Sequence, residues 1–231
     1  SEDGLYGLGC ATFAYRYKAV TTYILEYLRP LLIGRDVENI NEIWQLMHQN
    51  AYWRNGGIEN NAIAGIDIAL WDIKGKMANM PVYQLLGGAY RKAVPVYRHV
   101  DGADVEEIAD QIAYYRDLGV KHLRVQSGGY GGGLDLKAPK SAPCGSYDGI
   151  YLNSREYIRK TVKLFEDLRA KIGFDIDLVH DVHERIAPSE AIELARALEP
   201  CHLFFLEDPL PLNQTEYFKN MRALTSTPIA E

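Results

Sequence analysis

From about residue 93 onward, short apolar runs alternate with longer stretches in which apolar residues recur at helical spacing. The strands predicted from the short runs cover about 94–100, 122–126, 177–183, 202–207 and 228–231. The helices predicted between them cover about 104–117, 154–172, 188–198 and 213–224. Strands that alternate with helices pair in parallel, because each helix returns the chain to the same edge of the sheet. The alternation therefore predicts an α/β unit, either a closed barrel or an open doubly wound sheet.

An open sheet that binds a dinucleotide would carry a G-x-G-x-x-G motif after its first strand, and none follows the strand predicted at 94–100. A (β/α) barrel needs eight strands, whereas the pattern predicts five. If the sheet is a barrel, we expect this chain to contain only its first half, with about three strands missing.

Three of the predicted strands end in an acidic residue. Asp181, Glu207 and Glu231 follow one another at intervals of 26 and 24 residues, close to the length of one strand, one helix and two loops. Three carboxylates would then lie at the same end of three parallel strands, where a barrel carries its chemistry. On an extended strand, His183 would share a face with Asp181. The pattern predicts a metal-and-proton site at this edge.

Residues 1 to about 90 have a different pattern, which is typical of a mostly helical unit with a small amount of sheet. One strand is predicted within residues 1–13, where glycines punctuate apolar residues. Helices are predicted over about 17–33, 41–52 and 60–78, from apolar residues at helical spacing. We therefore expect two domains, 1–90 and 91–231.

The segment 127–153 is rich in glycine and proline and follows a predicted strand. A loop of this length within a compact domain is usually a lid or an insert. We expect it to lie over the barrel mouth and to be mobile without substrate. Tyr130 and Tyr147 are the groups in it that could carry out acid–base chemistry.

Composition limits the classes of partner. The 231 residues carry a net charge of −6 without a basic stripe, so nucleic acid is not an expected partner. No apolar run reaches the roughly 18 residues of a membrane span, and no signal-peptide pattern is present, so no membrane partner is expected. Three widely separated cysteines argue against a disulfide framework and fit a reducing compartment. We expect a cytoplasmic homo-oligomer.

Several motifs resemble those of one protein family. Residues 67–76 (Asp-Ile-Ala-Leu-Trp-Asp-Ile-Lys-Gly-Lys) and 81–88 (Pro-Val-Tyr-Gln-Leu-Leu-Gly-Gly) resemble the capping-domain signature of the enolase superfamily, mandelate-racemase-like group. Other motifs resemble the mannonate dehydratase family, including its starvation-sensing-protein branch. These are 52–56 (Tyr-Trp-Arg-Asn-Gly), 124–126 (Arg-Val-Gln), 180–185 (His-Asp-Val-His-Glu-Arg) and 207–209 (Glu-Asp-Pro). The resemblance extends over essentially the whole chain.

The resemblance implies an enolase-type capping domain followed by a (β/α)7β TIM-like barrel. It implies one Mg²⁺, held by Asp181, Glu207 and Glu231, and a small-molecule acid sugar as the partner. The implied reaction removes the proton next to the carboxylate of D-mannonate or a related aldonate. Loss of the 3-hydroxyl then yields a 2-keto-3-deoxy acid.

The resemblance also implies roles for residues around the metal. His183 matches the acid–base histidine, and Arg124 matches the arginine of an Arg–Tyr base pair, for which Tyr130 is the candidate tyrosine. An arginine beside a tyrosine favours the phenolate and lowers the tyrosine pKa. His99 and Gln126 are the expected substrate contacts. An alternative for Arg124 is an ion pair with one of the acids inside the barrel.

Two positions depart from the family's pattern. Glu231 directly follows Ala230, whereas the family usually has Ala-x-Gly before its last acid. Ala14 stands where active mannonate dehydratases carry a substrate-binding asparagine. A second hypothesis is therefore a catalytically silent family member that retains the metal site and has a binding or regulatory role.

Overall fold

The structure, a computed structural model, describes residues 4–126, 143–147 and 152–231. The chain divides into two compact units, residues 1–94 and 95–231, and each has its own hydrophobic core. Most of the segment 127–153, including Tyr130, lies outside the described residues, while Tyr147 is described and is almost fully exposed. In the described part of the chain, no helix is both long enough and apolar enough to cross a membrane.

The first unit is helical. Its helices are α1 (Tyr17–Tyr23), α2 (Arg29–Leu32), α3 (Ile40–Gln49), α4 (Gly57–Met77) and α5 (Val82–Leu85). A π-helical turn, Ile24–Leu28, joins α1 to α2, so the first predicted helix is continuous in direction but changes its hydrogen bonding. The three predicted helices are confirmed. Buried apolar side chains of α1, α3 and α4 meet in one core, among them Val20, Met47 and Ile63.

The strand predicted within residues 1–13 is wrong for the residues described, because residues 4–13 form no strand. They run as an extended segment along α4. The backbone N–H of Leu8 donates to Asp72 Oδ2 at 2.8 Å, and Lys76 Nζ donates to the Tyr6 carbonyl at 2.8 Å. Hydrogen bonds to a helix therefore replace the sheet partner that a strand would need.

Glycines allow this segment to approach the helix backbone closely. A Cβ atom added to Gly7 would lie 1.9 Å from the Ala69 carbonyl oxygen, and one added to Gly9 would lie 1.8 Å from the Gly65 carbonyl oxygen. The alternation of glycine with apolar residues resembles a strand pattern, but here it serves backbone-to-backbone packing.

The second unit is built on a five-stranded parallel sheet with strand order β1-β2-β3-β4-β5. The strands are β1 (Tyr97–Asp101), β2 (His122–Gln126), β3 (Asp177–Asp181), β4 (Phe205–Glu207) and β5 (Ile229–Ala230). The helices are α6 (Val105–Asp117), α7 (Ser154–Ile172), α8 (Pro188–Ala197) and α9 (Thr215–Leu224), with 3₁₀ turns at Glu199–Cys201 and Leu212–Gln214. A doubly wound sheet reverses its strand order at a switch point, so sequential order favours the barrel alternative.

Four of the five strands are shorter than predicted, and for β3 and β4 the backbone shows why. β3 ends at Asp181 because His183 and Glu184 adopt left-handed conformations with φ of 55° and 56°. β4 begins at Phe205 rather than residue 202, since His202 is also left-handed, with φ of 45°. A left-handed residue turns the chain out of the extended conformation and interrupts pairing.

A buried arginine joins the segments that precede β3 and β4. Arg169 on α7 is 7% exposed, and its Nε donates to the Cys201 carbonyl at 2.7 Å. Its Nη1 donates to the Gly173 and Ile176 carbonyls at 3.0 and 2.9 Å. Its Nη2 donates to the His202 carbonyl at 3.2 Å. Buried arginine is satisfied here by backbone carbonyls rather than by a carboxylate.

A buried histidine lies on the face of the sheet that meets the helices. His180 is 2% exposed, and its Nδ1–H donates to the Val125 carbonyl at 3.0 Å. In the neutral ring Nε2 then accepts from the Tyr157 hydroxyl at 2.8 Å. Burial lowers the pKa of His180 to about 4, so the ring is neutral at pH 7. Asp181, the next residue, points to the opposite face, as strand alternation requires.

We expect Gly9→Ala to loosen the extended segment from α4, because the added Cβ would collide with the Gly65 carbonyl oxygen. Overpacking of this kind costs about 1–3 kcal/mol. The expected result is an increase of on the order of 10-fold in the hydrogen-exchange rate of the Leu8 amide. Gly57→Ala is the matched control, since its Cβ would meet Phe13 at 3.4 Å in ordinary contact. An unchanged Leu8 exchange rate in Gly9→Ala would contradict the close approach.

Candidate active site

Two acidic strand ends face each other across β3 and β4. Asp181 and Glu207 are register partners in this parallel pair, and both lie at the carboxyl end of their strands. Glu207 is in turn the partner of Ala230, so Glu231 follows at the same edge. The predicted order of the three acids along the sheet is therefore found. Asp181 is 2% exposed, which makes its charge costly without a cation.

Arg124 of β2 supplies that cation in the structure. Its side chain is buried, and Nη1 donates to Asp181 Oδ2 while lying 3.8 Å from Glu207 Oε2. Its Nη2 lies 3.4 Å from Nδ1 of His99 on β1. The ion-pair alternative for Arg124 is thus present, whereas its pairing with Tyr130 lies outside the described residues. Arg124, His99 and the two acids form one group of side chains.

His183 reaches Asp181, but not by the predicted route. β3 has ended before it, so strand alternation does not place its side chain. Instead the left-handed turn directs the His183 N–H to Asp181 Oδ1 at 2.8 Å and its Nε2 to within 2.7 Å of Oδ2. The prediction that the two side chains are neighbours is right, and its structural reason is wrong. A single carboxylate therefore contacts both Arg124 and His183.

The electrostatics of this pair favour a neutral imidazole. Burial lowers the pKa of His183, and the nearby Arg185 and Arg124 lower it further. Burial raises the pKa of Asp181, against the opposing effects of the His183 N–H and Arg124. A neutral ring can still donate from Nε2 to the carboxylate. His183 is consequently placed to hold or pass a proton beside Asp181.

Gln126 supports the end of β3 from the neighbouring strand. It is 3% exposed, and its Nε2 donates to the Asp181 carbonyl oxygen at 3.0 Å. That hydrogen bond fixes the backbone that carries Asp181. The expected substrate contact of Gln126 stays a prediction, since its amide nitrogen is used here for positioning.

Tyr97 belongs to the site and was missed by sequence reasoning. Its hydroxyl donates to Glu207 Oε1 at 2.8 Å, and its ring lies beside that of His99, with centroids 5.7 Å apart. Tyr97 starts β1, three strands away from β4, so no local spacing relates it to Glu207. The only sequence signal is its position two residues before His99 on the same face of a strand.

The donor set fits a hard divalent cation in part. Glu207 Oε2 is buried and accepts no hydrogen bond from any residue the structure describes. Carboxylate oxygens of Asp181 and Glu207 are the ligand type that Mg²⁺ prefers. Within residues 4–126, 143–147 and 152–231, however, no group of three or more acid, histidine or cysteine side chains has metal-site spacing. The structure thus brings two predicted ligands, Asp181 and Glu207, to the guanidinium of Arg124. Glu231 as the third metal ligand stays a prediction.

The fold and this edge of acids define a class of protein. Residues 1–87 match the mandelate racemase / muconate lactonizing enzyme N-terminal domain, and residues 107–231 match the enolase C-terminal domain-like family. The chain therefore belongs to the enolase superfamily, and the enolase-type α/β fold predicted from the sequence is confirmed.

Two curated relatives and one crystal structure are similar to this chain over nearly its whole length. The chain is 48% identical over 231 residues to a D-galactonate dehydratase family member of Enterocloster bolteae, and 49% identical over 244 residues to the family member RspA of Pantoea ananatis. It spans 57% and 58% of the length of these curated relatives while all of it is matched. A crystal structure of an enolase from Pantoea ananatis with bound D-gluconate and Mg superimposes with a TM-score of 0.89. Its identity is 48%, over 99% of this chain and 59% of that one.

We expect Arg124 and Asp181 to have a large coupling free energy in the unfolding equilibrium, because the pair is buried. Arg124→Met removes one partner and leaves the Asp181 carboxylate buried, which typically costs about 3–5 kcal/mol. Asp181→Asn in the same background should recover much of that loss, because the uncompensated charge is gone. The measurement is a double-mutant cycle by urea unfolding in a chelating buffer.

The matched control is the exposed pair of Arg35 and Glu42, whose closest atoms are 3.0 Å apart and whose side chains are 44% and 49% exposed. The cycle of Arg35→Met and Glu42→Gln should give a coupling below about 1 kcal/mol. A coupling for Arg124 and Asp181 that is no larger than this one would refute the buried-pair assignment.

Proposed function

We propose that the intact natural protein is an Mg²⁺-dependent sugar-acid dehydratase, a carbon–oxygen lyase. The observation that carries this proposal is the register pairing of Asp181 with Glu207, with Arg124 and His183 on the same carboxylate edge. The relatives named as D-galactonate dehydratase family members, and the related enolase with bound D-gluconate and Mg, support the class of substrate and the metal.

Asp181, Glu207 and Glu231 are the proposed metal ligands. When bound, Mg²⁺ would stabilise the negative charge that develops on the oxygens of an enediolate. Asp181 and Glu207 contribute acids that the fold already holds at one edge, and the buried Oε2 of Glu207 is available to a cation. The acid pair needs a positive charge with or without substrate, which Arg124 supplies in the structure.

The first proposed step breaks the bond between C2 of the aldonate and its proton. The base is the tyrosinate of an Arg–Tyr pair, in which Arg124 lowers the tyrosine pKa by favouring the anion. Tyr130 is the proposed tyrosine. His99, beside Arg124, and Gln126 are the proposed substrate contacts.

The second step breaks the bond between C3 and its hydroxyl. His183 gives a proton to the departing oxygen, so that water leaves and an enol remains. The enol then takes up a proton at C3 while its hydroxyl at C2 releases one, which gives the 2-keto-3-deoxy acid. A bound acid sugar adds negative charge near His183, which favours the protonated ring that this step requires.

The substrate is proposed to be D-mannonate or a related aldonate. The chemistry requires a carboxylate, a proton at C2 and a hydroxyl at C3. The test is to incubate the intact natural protein and Mg²⁺ with a panel of aldonates and to assay 2-keto-3-deoxy products. Product from at least one aldonate is expected. Metal and aldonate binding without product would instead favour the catalytically silent alternative.

We expect His183 and Arg124 to act on different steps, and solvent deuterium exchange at C2 separates them. His183→Asn suits the left-handed backbone at this position but cannot deliver a proton at neutral pH. It should lower kcat by on the order of 10² to 10⁴ while C2 exchange continues. Arg124→Met should abolish both turnover and exchange.

His202→Asn is the matched control, since His202 is also left-handed, with φ of 45°, and lies before β4, away from the acids. Its kcat should stay within about 2-fold of the wild type, as for a group with no catalytic contact. The role assignments are wrong if His183→Asn loses exchange and Arg124→Met retains it.

A further inference from the structure

The two oxygens of Glu207 have different surroundings. Oε1 accepts a hydrogen bond from the Tyr97 hydroxyl at 2.8 Å. Oε2 is buried without a hydrogen bond from the described part of the chain, and its nearest cation is Arg124 Nη1 at 3.8 Å. Oε1 thus accepts from a neutral donor, while Oε2 faces the Arg124 guanidinium, which also binds Asp181.

The tilt of barrel strands explains how Tyr97 reaches Glu207. Along the register lines Tyr97 is level with Asp177, four residues before Asp181 and its partner Glu207. Four residues correspond to roughly 13 Å of strand. β1 and β4 are three strand spacings of about 4.8 Å apart. At a strand tilt of about 36°, this separation offsets roughly 10 Å of the 13 Å along the strand direction. The length of a tyrosine side chain covers the remainder.

We propose that Tyr97 is a positioning residue that makes Glu207 bind the metal through Oε2 alone, and so makes the site prefer Mg²⁺ to Ca²⁺. This inference rests on the metal site of the proposed function. With Oε1 already accepting from the hydroxyl, bidentate binding of one cation by this carboxylate would compete with that hydrogen bond and is disfavoured. Mg²⁺ requires near-octahedral coordination by single oxygens, whereas Ca²⁺ accepts bidentate carboxylates and more ligands.

A purely structural role for Tyr97 makes a different prediction. Its ring also lies near Phe205, with centroids 6.2 Å apart, so it fills space in the unit. If filling space were its only role, removing the hydroxyl would leave both metals unaffected, and any loosening would weaken both alike. The ratio of the two affinities is therefore the informative quantity.

The test is calorimetric titration of the intact natural protein with Mg²⁺ alone and with Ca²⁺ alone, for the wild type and Tyr97→Phe. Tyr97→Phe should raise the Kd for Mg²⁺ by on the order of 10- to 100-fold, the usual effect of losing a ligand's supporting hydrogen bond. The Kd for Ca²⁺ should change by less than about 3-fold, because a freed Oε1 adds a ligand atom that Ca²⁺ can use.

The matched control is Tyr157→Phe, which removes a hydroxyl that contacts His180 at 2.8 Å rather than a carboxylate. Its ratio of affinities should equal that of the wild type. Glu207→Asp provides a second test, because the shorter side chain loses its contact with Tyr97. In that background Tyr97→Phe should not change the ratio of Mg²⁺ to Ca²⁺ affinity further.

Two outcomes overturn the inference. Equal weakening of both metals in Tyr97→Phe, or no change in either, shows that Tyr97 does not select the oxygen. If the wild type binds neither metal, the metal site of the proposed function fails and this inference fails with it. In the first case the wild type still binds Mg²⁺, so the inference fails while the proposed function stays intact.

Discussion

The site depends on the parallel pairing that sets Asp181 opposite Glu207. Parallel strands expose their carboxyl ends at one edge, so two acids at matching positions must lie together. Burial makes two adjacent negative charges unfavourable unless a cation accompanies them. Arg124 meets that requirement from β2, and His183 and Tyr97 contact the remaining oxygens. Each of these contacts follows from the placement of two carboxylates by strand register.

Much of this architecture could be predicted from the sequence because its signals are local. The alternation of short apolar runs with amphipathic helices predicted five parallel strands, and the spacing between acids predicted their common edge. The N-terminal segment shows the limit of such signals. Gly7 and Gly9 alternate with apolar residues as a strand would, but their function is close approach to α4. Pattern alone does not distinguish a sheet neighbour from a helix neighbour.

The details of the site depend on geometry that no local pattern carries. Tyr97 meets Glu207 only because tilted strands bring residues of β1 and β4 to one height. His183 reaches Asp181 through a left-handed turn that strand alternation does not anticipate. Whether Arg124 pairs with an acid or with a tyrosine is decided by distances in three dimensions. The family resemblance implied roles for His183 and Arg124 but none for Tyr97, and the structure shows the contacts of all three.

Arg169, at the far end of the sheet, helps to fix the position of the acid pair. Its guanidinium binds carbonyls just before β3 and just before β4, and so fixes where each strand begins relative to the other. A slip of one residue there would shift Glu207 by about 3.3 Å and turn its side chain toward the helices. The loops at the acidic edge can therefore change in sequence and length without altering the register that Arg169 fixes. The contacts that fix the register of the acid pair therefore lie at the opposite end of the strands from the loops that follow those acids.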